Sequence, residues 1–525
     1  MKRLKITFLA VCLSLTAYSD ENNYKIRWGI GLLSEEIQLQ KDDYKLNAGA
    51  SSISGISSNA THTIMSSLSF FRLLPKGQIL GTVCDLLLDR PIDSATVKVK
   101  RQRSEDRIQM TDGNGKYIFD KHRLIFGTYT LTVTRKGYYP ATRTIKLRGT
   151  TTKNIALCPL KRNIPANIWK MWSPPATPET STTINGNTII VGSNLGGINN
   201  IGDLEIRCYR WDANADDDPL YGKYRRPPLI RTGESYWLKS YGAEANLLVG
   251  EVVNSTTQTI TLSSGWNQIA NPFNFMVSKS DILIGTQPLT SDLWGWTDTE
   301  YLSSEAILPW KGYFLYANEA CELTVPPVPC DDSSVSVSIL NDNYLWSIKL
   351  SASSGIYSDR ENLIGIAKDG KGNTSPEPPT PHVDNYVRLV ISNSYAQEIR
   401  SQMADSNEWD ISVVSTTGEP TTLSWSDVSA IPEEYGVYLI DGDNVIDMRK
   451  SQQSTINSQQ LKIKVAKGGG LINERLEITE VISYPNPTSG EVTFRSTLLT
   501  GGADLKVKIY NIVGQVVKET GLISD

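Results

Sequence analysis

Histidine is scarce in this chain, and its scarcity limits the chemistry that the protein can perform. Three histidines occur among 525 residues, His62, His122 and His382, and none begins a His-x-x-Glu or His-Glu-x-x-His string. Metal hydrolases that bind zinc through histidine need such a spacing. The Gly-x-Ser-x-Gly nucleophile motif and the glycine-rich phosphate loops are also missing. We therefore expect no catalytic residues and no organic cofactor.

Excess charge of one sign and long apolar runs are missing as well. The chain has 52 Lys and Arg against 56 Asp and Glu, a formal net charge of −4, which gives it no attraction for nucleic acid or an anionic membrane. No apolar run is long enough to cross a bilayer. We expect no nucleic-acid partner and no transmembrane segment.

The N-terminus has the pattern of a secretory signal. The basic string MKRLK precedes the apolar string ITFLAVCLSLTA, and Ala17 and Ser19 supply small residues for cleavage. This pattern predicts a signal peptide over residues 1–19 and an oxidising destination. Lipid attachment at Cys12 is disfavoured, because Val11 is bulky for the preceding position.

Cysteine is also infrequent, and its spacing fits no zinc motif. Behind the predicted signal peptide five cysteines remain: Cys84, Cys158, Cys208, Cys321 and Cys330. An odd number leaves at least one of them without a partner in the same chain. We interpret them as isolated buried thiols.

Short strands dominate what is present. Apolar and polar residues alternate in TVKVKRQ, TYTLTVTR, WSIKLSA and YVRLVIS, and turn residues separate these strings. This pattern predicts an all-β chain of several small antiparallel β-sandwich domains in tandem. The best short helix candidate is 394–404. The predicted order is a signal peptide (1–19), a Ser/Asn-rich leader (20–76), a β-sandwich (77–160), a tandem β repeat (161–331), a second β-sandwich (332–468), and a linker with a truncated C-terminal domain (469–525).

Residues 77–160 form the clearest unit, with a tight turn at Asp112–Gly115 and a hairpin at Lys136-Gly137. The unit resembles the carboxypeptidase regulatory-like domain, a transthyretin-like sandwich. The resemblance rests on Gly81, Pro91, Ala95, Thr111, Asp112, Gly115, Tyr117, Phe119, Gly127, Tyr129, Gly137, Tyr138 and Pro140. It implies an accessory domain without catalytic residues. It also implies neighbouring first and last strands, which makes Cys84 and Cys158 a candidate disulfide.

An internal repeat lies within residues 161–331. The order Trp–Pro, Trp–Asp, Gly–Tyr–aromatic and apolar strand occurs twice, beginning at Trp169 and at Trp266. The stretch resembles repeat regions of large secreted bacterial surface proteins, which implies location more than activity. Most of its tryptophans fit core anchors. Trp294 and Trp296 alternate on one strand and are our candidates for a glycan-stacking platform if that face is open.

The C-terminal string YPNPTSGEVTF, followed by LKVKIYNIVGQVVKE, resembles the first half of a type IX secretion C-terminal sorting domain. The matching residues include Tyr484, Pro485, Asn486, Pro487, Gly490, Tyr510 and Gly514. Family members continue for two or three more strands, so we expect that the sequence is a piece of a longer protein. An incomplete sandwich would leave an open sheet edge. The resemblance implies the secretion machinery as a partner.

One acidic loop is the candidate metal site. Asp212, Asn214, Asp216 and Asp218 alternate, and their oxygens suit calcium. However, the glycine and the glutamate that an EF-hand loop needs are replaced by Asp217 and Lys223. A solvated acidic hairpin is therefore the alternative to a calcium site.

Together these patterns predict a non-catalytic protein at the extracellular or outer-membrane surface of a Gram-negative bacterium. It would act in adhesion or extracellular polymer recognition, with a glycan or another surface protein as partner. The first alternative is a glycan-binding accessory region of a polysaccharide-degrading enzyme. The second is an extracellular hydrolase with an unrecognised site, because any two carboxylates can meet in a folded chain.

Overall fold

The chain folds almost entirely into strands. The computed structural model describes side chains in residues 77–101, 105–120, 124–178, 189–192, 205–250, 253–330 and 343–468, and only the backbone of some further strands. The sole helical element in these parts is the 3₁₀ turn Lys279–Asp281. None of the described helical structure is long and apolar enough to span a membrane. The chain divides into two compact units, 1–159 and 160–525, and the predicted all-β class is confirmed.

Seven backbone-only strands precede the first sandwich and form one sheet of order β1-β2-β3-β4 and another of order β5-β6-β7. The predicted signal peptide and leader lie in this segment, and both stay predictions. The strands are β1 Arg3–Thr7, β2 Ser14–Asp20, β3 Asn23–Ile30, β4 Leu33–Gln40, β5 Asn47–Ala48, β6 Ser51–Ser58 and β7 Thr61–Ser66.

The first sandwich packs a sheet of order β10-β9-β12-β13 against a sheet in which β8 pairs with β11, β14 and β15. Its strands are β8 Lys76–Asp85, β9 Thr96–Arg101, β10 Arg107–Met110, β11 Lys116–Ile125, β12 Gly127–Thr134, β13 Ala141–Leu147, β14 Thr150–Thr152 and β15 Ile155–Leu157. Alternate residues of both sheets, from Ile79 to Leu157, form one core.

Asp112 and Gly115 fix the tight turn between β10 and β11 of this sandwich. Gly115 has a φ of +70°, and a Cβ there would lie 2.4 Å from the carbonyl oxygen of Val83, so this turn requires glycine. The Asp112 carboxylate accepts hydrogen bonds from the backbone N–H groups of Asn114 and Lys116. The predicted turn between two strands is therefore present.

The first and last strands of the sandwich lie side by side, as the resemblance implied. The parallel register pairs Cys84 of β8 with Ala156 of β15, and Cys158 follows the end of β15. The Cys158 thiol donates to the Pro159 carbonyl oxygen at 3.6 Å. A disulfide between the two cysteines stays a prediction.

The tandem repeat forms the first part of the second unit. Each copy pairs two small sheets, of order β16-β24-β19-β18 and β17-β23-β21-β20 in the first copy, and β25-β34-β28-β29 and β26-β33-β30-β31 in the second. The first copy contains β16 Lys161–Ile164, β17 Lys170–Trp172, β18 Thr183–Asn185, β19 Thr188–Ile190, β20 Asn200–Ile201, β21 Leu204–Trp211, β22 Tyr224–Arg225, β23 Tyr236–Tyr241 and β24 Ala245–Leu248. The second contains β25 Gln258–Leu262, β26 Gly265–Ala270, β27 Val277–Ser278, β28 Leu283–Ile284, β29 Gln287–Pro288, β30 Leu293–Trp296, β31 Tyr301–Ser303, β32 Ala306–Ile307, β33 Gly312–Ala317 and β34 Cys321–Val325.

Strand register shows that the two copies are equivalent residue by residue. The equivalent cross-strand pairs are Trp172–Tyr236 with Ile269–Tyr313, Tyr209–Trp237 with Trp294–Phe314, and Trp211–Tyr224 with Trp296–Tyr301. The copies also differ in length between the last two positions. Twelve residues separate Trp211 from Tyr224, whereas four separate Trp296 from Tyr301. The acidic loop is thus an insertion in the first copy.

The region predicted as a second sandwich is hydrogen-bonded as one continuous eleven-stranded sheet rather than two separate sheets, and we keep the name second sandwich for it. Its strands are β35 Tyr344–Ser354, β36 Tyr357–Ala367, β37 Asn373–Pro376, β38 Val387–Ile391, β39 Tyr395–Arg400, β40 Ser406–Ser415, β41 Thr421–Trp425, β42 Tyr435–Asp441, β43 Asn444–Asp447, β44 Gln453–Ile456 and β45 Gln460–Lys467. Apolar residues on one face of most of these strands belong to a single core. The sheet must therefore curl around that core.

The short helix expected at 394–404 is wrong, because Tyr395–Arg400 is strand β39. It runs parallel to β36 and antiparallel to β37 and β38. The spacing of Ala396 and Ile399, both buried, imitates a helix period. Hydrogen bonding to the neighbouring strands makes this segment a strand, because tertiary pairing overrides a weak local helix propensity.

Four backbone-only strands follow residue 468. They are β46 Ile478–Tyr484, β47 Thr493–Leu498, β48 Leu505–Tyr510 and β49 Val516–Leu522. They form two antiparallel pairs, β46 with β47 and β48 with β49. Tyr484 and Tyr510 end β46 and β48, and the other residues of the predicted sorting motif lie outside the described residues.

Candidate functional site

Aromatic side chains of the two repeat copies pack against each other. The Trp211 ring lies 6.0 Å from the Phe314 ring of the other copy. At the equivalent position the Trp296 ring lies 5.9 Å from the Trp237 ring. Both pairs are edge-to-face, the geometry that favours aromatic contacts. The copies are therefore related by an approximate two-fold arrangement with tryptophan at its centre.

Backbone bridges join the copies with the same symmetry. Trp172 of one copy bridges Lys311 of the other, and Glu234 bridges Ile269 at the equivalent position. A Cβ on Gly312 would lie 2.5 Å from the Ser235 side chain, so the copies approach closely here. The repeat pair is one packed body.

The structure does not provide the open face that the glycan platform required. Trp294 is 5% exposed, and Trp296 is half-buried between Trp237 and Tyr301. A pyranose ring needs a free aromatic face. We therefore correct the platform assignment, and these two tryptophans are packing residues.

The aromatic residues in the core of the repeat pair form what we call the aromatic cluster: Trp169, Tyr209, Trp211, Tyr224, Trp237, Trp266, Trp294, Trp296, Tyr301 and Phe314. A proline-rich segment, residues 376–384, packs against this cluster. Its prolines at 378, 379 and 381 are buried. The His382 ring lies 4.6 Å from the rings of Trp169 and Tyr209. The Tyr224 hydroxyl donates to the Thr380 carbonyl oxygen at 2.8 Å. The segment connects the repeat pair to the second sandwich.

His382 is held as a neutral ring. Burial, with a smaller contribution from Lys239, lowers the pKa of His382 to about 4, although Asp384 acts in the opposite direction. The Lys239 ammonium donates to Asp384 at 2.6 Å. The His382 ring packs on aromatic rings and stays neutral at neutral pH, which favours a packing role.

Charged side chains form the rest of this junction. Glu300 of the second copy is 3% exposed and accepts from the Arg360 guanidinium and, at 3.0 Å, from the Ser358 hydroxyl of β36. Glu377 lies 3.4 Å from Arg388 and is 7% exposed. The Glu300 contacts link the repeat pair to the second sandwich, whereas Glu377 and Arg388 both belong to the second sandwich.

Two carboxyl groups at the junction have raised pKa values, which favours their protonated form. Burial raises the pKa of Asp359 to about 6, and burial together with the Asp359 charge raises the pKa of Glu377. Asp359 accepts from the Leu389 N–H at 2.7 Å and from the Asn362 amide at 2.6 Å. Raised carboxyl pKa values often mark general acids. Here the oxygens are occupied by protein donors, which favours a structural role.

The predicted calcium loop uses its own donors. The Asp212 carboxylate accepts from the Asn214 N–H, and the Asp218 carboxylate accepts from the N–H groups of Leu220 and Tyr221, which lowers the Asp218 pKa. Lys223 and Arg225 donate to carbonyl oxygens within the loop. No group of three or more His, Cys, Asp or Glu side chains suited to a metal occurs in the described residues. Calcium binding stays a prediction.

The Cys208 thiol is buried in β21, and burial raises its pKa. A reactive cysteine needs a lowered pKa and access to solvent. Cys208 therefore does not act as a nucleophile.

A surface that the sequence analysis missed lies on the outer face of the second sandwich. We call it the polar groove, a cavity of about 350 Å³ lined by Asn393, Asp410, Ile440, Gly442, Gln460 and Lys462. Its side chains come from β40, β42 and β45 and from two turns. No motif marks it, because strand register alone brings these residues together.

Two family models match parts of the chain. The carboxypeptidase regulatory-like domain matches residues 78–157, and the secretion system C-terminal sorting domain matches residues 483–524. Both resemblances found in the sequence are confirmed. The sorting match contains every residue of the predicted motif. A comparison with curated proteins finds no match.

Solved structures give distant likenesses. A candidate carbohydrate-binding protein from Bacteroides uniformis is 11% identical, with 48% of this chain and 99% of that chain covered and a TM-score of 0.16. A DUF3823 family protein from Bacteroides ovatus is 14% identical, covering 36% and 89%, with a TM-score of 0.15. The major pilin subunit of Bacillus cereus is 8% identical, covering 85% and 94%, with a TM-score of 0.16. These scores are too low to carry a functional argument.

The sorting domain gives the destination of the protein. Such a domain directs export through the type IX machinery to the cell surface or the extracellular space, so that machinery is a partner. The two matched families are accessory and sorting domains rather than catalytic ones. The chain is therefore an exported all-β protein that carries a carboxypeptidase regulatory-like domain and a C-terminal sorting domain.

Proposed function

We propose that this protein is a non-catalytic surface component that acts in adhesion or extracellular polymer recognition. One observation supports the proposal most strongly. The ionisable groups Glu300, His382 and the Lys239–Asp384 pair are used to join the repeat pair to the second sandwich. Groups committed to such contacts are not free for proton transfer to a substrate.

The construction of the second unit fits a binding role. The repeat pair and the sandwich share ion pairs, a tyrosine hydrogen bond and an aromatic cluster. A body held at several points presents its outer surface in a fixed geometry, which reduces the entropy lost on binding. A fixed outer surface of this kind supports a role in adhesion.

A binding and turnover assay tests the proposal. The exported chain is incubated with immobilised neutral polysaccharides, acidic polysaccharides and extracellular matrix proteins. Retained protein and released reducing ends are then measured together. We expect saturable retention by at least one class and no release of reducing ends. Absence of retention on every class contradicts the binding role, and released sugar supports a hydrolase instead.

A further inference from the structure

The polar groove is built from two adjacent rows of side chains, each row running across neighbouring strands. In one row Ile440, Lys462 and Asp410 are direct cross-strand partners on β42, β45 and β40. In the next row Gln460 faces Ser412. Side chains of one row lie about 5 Å apart. The groove therefore presents an ammonium, a carboxylate and an amide at fixed spacing.

Two turns give the groove its depth and its wall. Gly442 follows the β42 row without a side chain, and its φ is +60°. On the opposite side, Ser392 and Asn393 have φ values of +48° and +66°. Non-glycine residues in this region are uncommon and concentrate at turns and ligand-binding sites. The positive φ values of this turn place Asn393 at the rim of the groove.

Charge in and beside the groove is balanced. Lys462 lies 2.8 Å from Glu408 and 3.9 Å from Asp410, and Lys464 lies 3.2 Å from Glu408. Two cations and two carboxylates leave no net charge to attract an ion. Asp410 and Gln460 are exposed, and the half-buried Ile440 supplies an apolar surface.

We propose that the polar groove binds a neutral, hydroxyl-rich polymer, namely an uncharged polysaccharide. A sugar hydroxyl both donates and accepts, so it can use the Asp410 carboxylate, the Gln460 amide and the Lys462 ammonium. The aliphatic face of a sugar ring fits Ile440. The exposed groove suits a chain that passes across it. This inference rests on the proposed function and names its site and ligand class.

Two variants probe the groove without disturbing the fold. Asp410→Ala combined with Gln460→Ala removes two exposed polar groups. Gly442→Asn fills the groove, and a Cβ there makes only an ordinary contact, 3.6 Å from the Ser458 hydroxyl. Asparagine accepts positive φ. Gly418→Asn is the matched control, since Gly418 has a φ of +77° and open space around it.

Affinity electrophoresis of the full chain gives the test, with gels containing a neutral β-glucan, a neutral mannan, a neutral xylan or polygalacturonate. We expect retardation by a neutral polymer at both 50 mM and 500 mM salt, at least a tenfold weaker affinity in both groove variants, and no change in Gly418→Asn. Unchanged affinity in the groove variants overturns the groove and leaves polymer recognition standing. Retardation by polygalacturonate alone overturns the neutral ligand class. No retardation in any gel overturns the groove proposal, while the matrix-protein arm of the earlier assay still tests adhesion separately.

Discussion

Glu300 shows how one side chain joins two modules. It lies in the β30–β31 turn of the second repeat copy, yet its carboxylate pairs with Arg360 of the second sandwich. Arg360 remains half exposed while Glu300 is almost fully buried. If the carboxylate charge is removed, the Arg360 guanidinium can turn towards water. The loss of folding stability is therefore limited.

We expect Glu300→Gln to reduce the free energy of unfolding by about 1–3 kcal/mol, because hydrogen bonds to charged groups contribute on that order. Urea denaturation measures the loss. Glu319→Gln, at an exposed position of the same repeat copy, should change little. Equal stability of Glu300→Gln and the wild type would show that the ion pair does not hold the junction.

Asp359 makes the junction respond to pH. Its pKa in the folded protein is about 6, above the value of about 3.9 for an unfolded aspartate. The folded chain therefore binds a proton more readily, and stability rises as pH falls through 6. We expect the wild type to gain stability over Asp359→Asn between pH 7.5 and 5. A difference in unfolding midpoint that stays constant with pH contradicts this assignment.

His382 should act in the opposite direction. Its folded pKa of about 4 lies below the unfolded value of about 6.5. Its contribution is therefore present above pH 6.5 and lost as pH falls towards 4. Compared with His382→Phe, the wild type should lose stability over that range, as followed by thermal unfolding at stepped pH. If the two proteins respond to acid alike, the histidine is not enclosed as described.

Among the elements, the repeat could be predicted from the sequence but its packing could not. The spacing of Trp169 and Trp266 revealed two copies, and strand register agrees with that alignment. What each tryptophan contacts depends on how the copies face each other, which no local pattern specifies. The platform at Trp294 and Trp296 failed for that reason.

The equivalent tryptophans of the two copies should matter equally for stability. Trp211 and Trp296 each pack on one ring of the other copy and on one tyrosine of their own. We expect either change to alanine to reduce the free energy of unfolding by about 3–5 kcal/mol. Differential scanning calorimetry compares them with Leu220→Ala, at a position that is 84% exposed. If only one of the two alanine variants loses stability, the result would contradict the two-fold arrangement.

The segment 376–384 marks the limit of prediction for a loop. In the structure the segment contacts the aromatic cluster through Thr380 and His382. That contact joins residues more than 150 positions apart in the chain. The same holds for the polar groove, which exists only once three strands are paired.

For the molecule as a whole, the sorting domain and the β modules have separate tasks. The sorting match covers residues 483–524, whereas the packed core of the second sandwich ends at Val465. A chain that ends at residue 482 should fold normally but fail to reach the cell surface. Antibody labelling of intact cells, with total protein as the control, measures this. Equal labelling of both chains would contradict the role of the sorting domain.

The central claim is that this exported protein holds an extracellular polymer without changing it. Light scattering after size-exclusion chromatography, on a mixture of the full chain with a neutral polysaccharide, tests that claim directly. We expect protein and polymer to elute together, with the molar mass of the polymer unchanged after prolonged incubation. Separate elution, or a polymer mass that falls with time, would contradict the account.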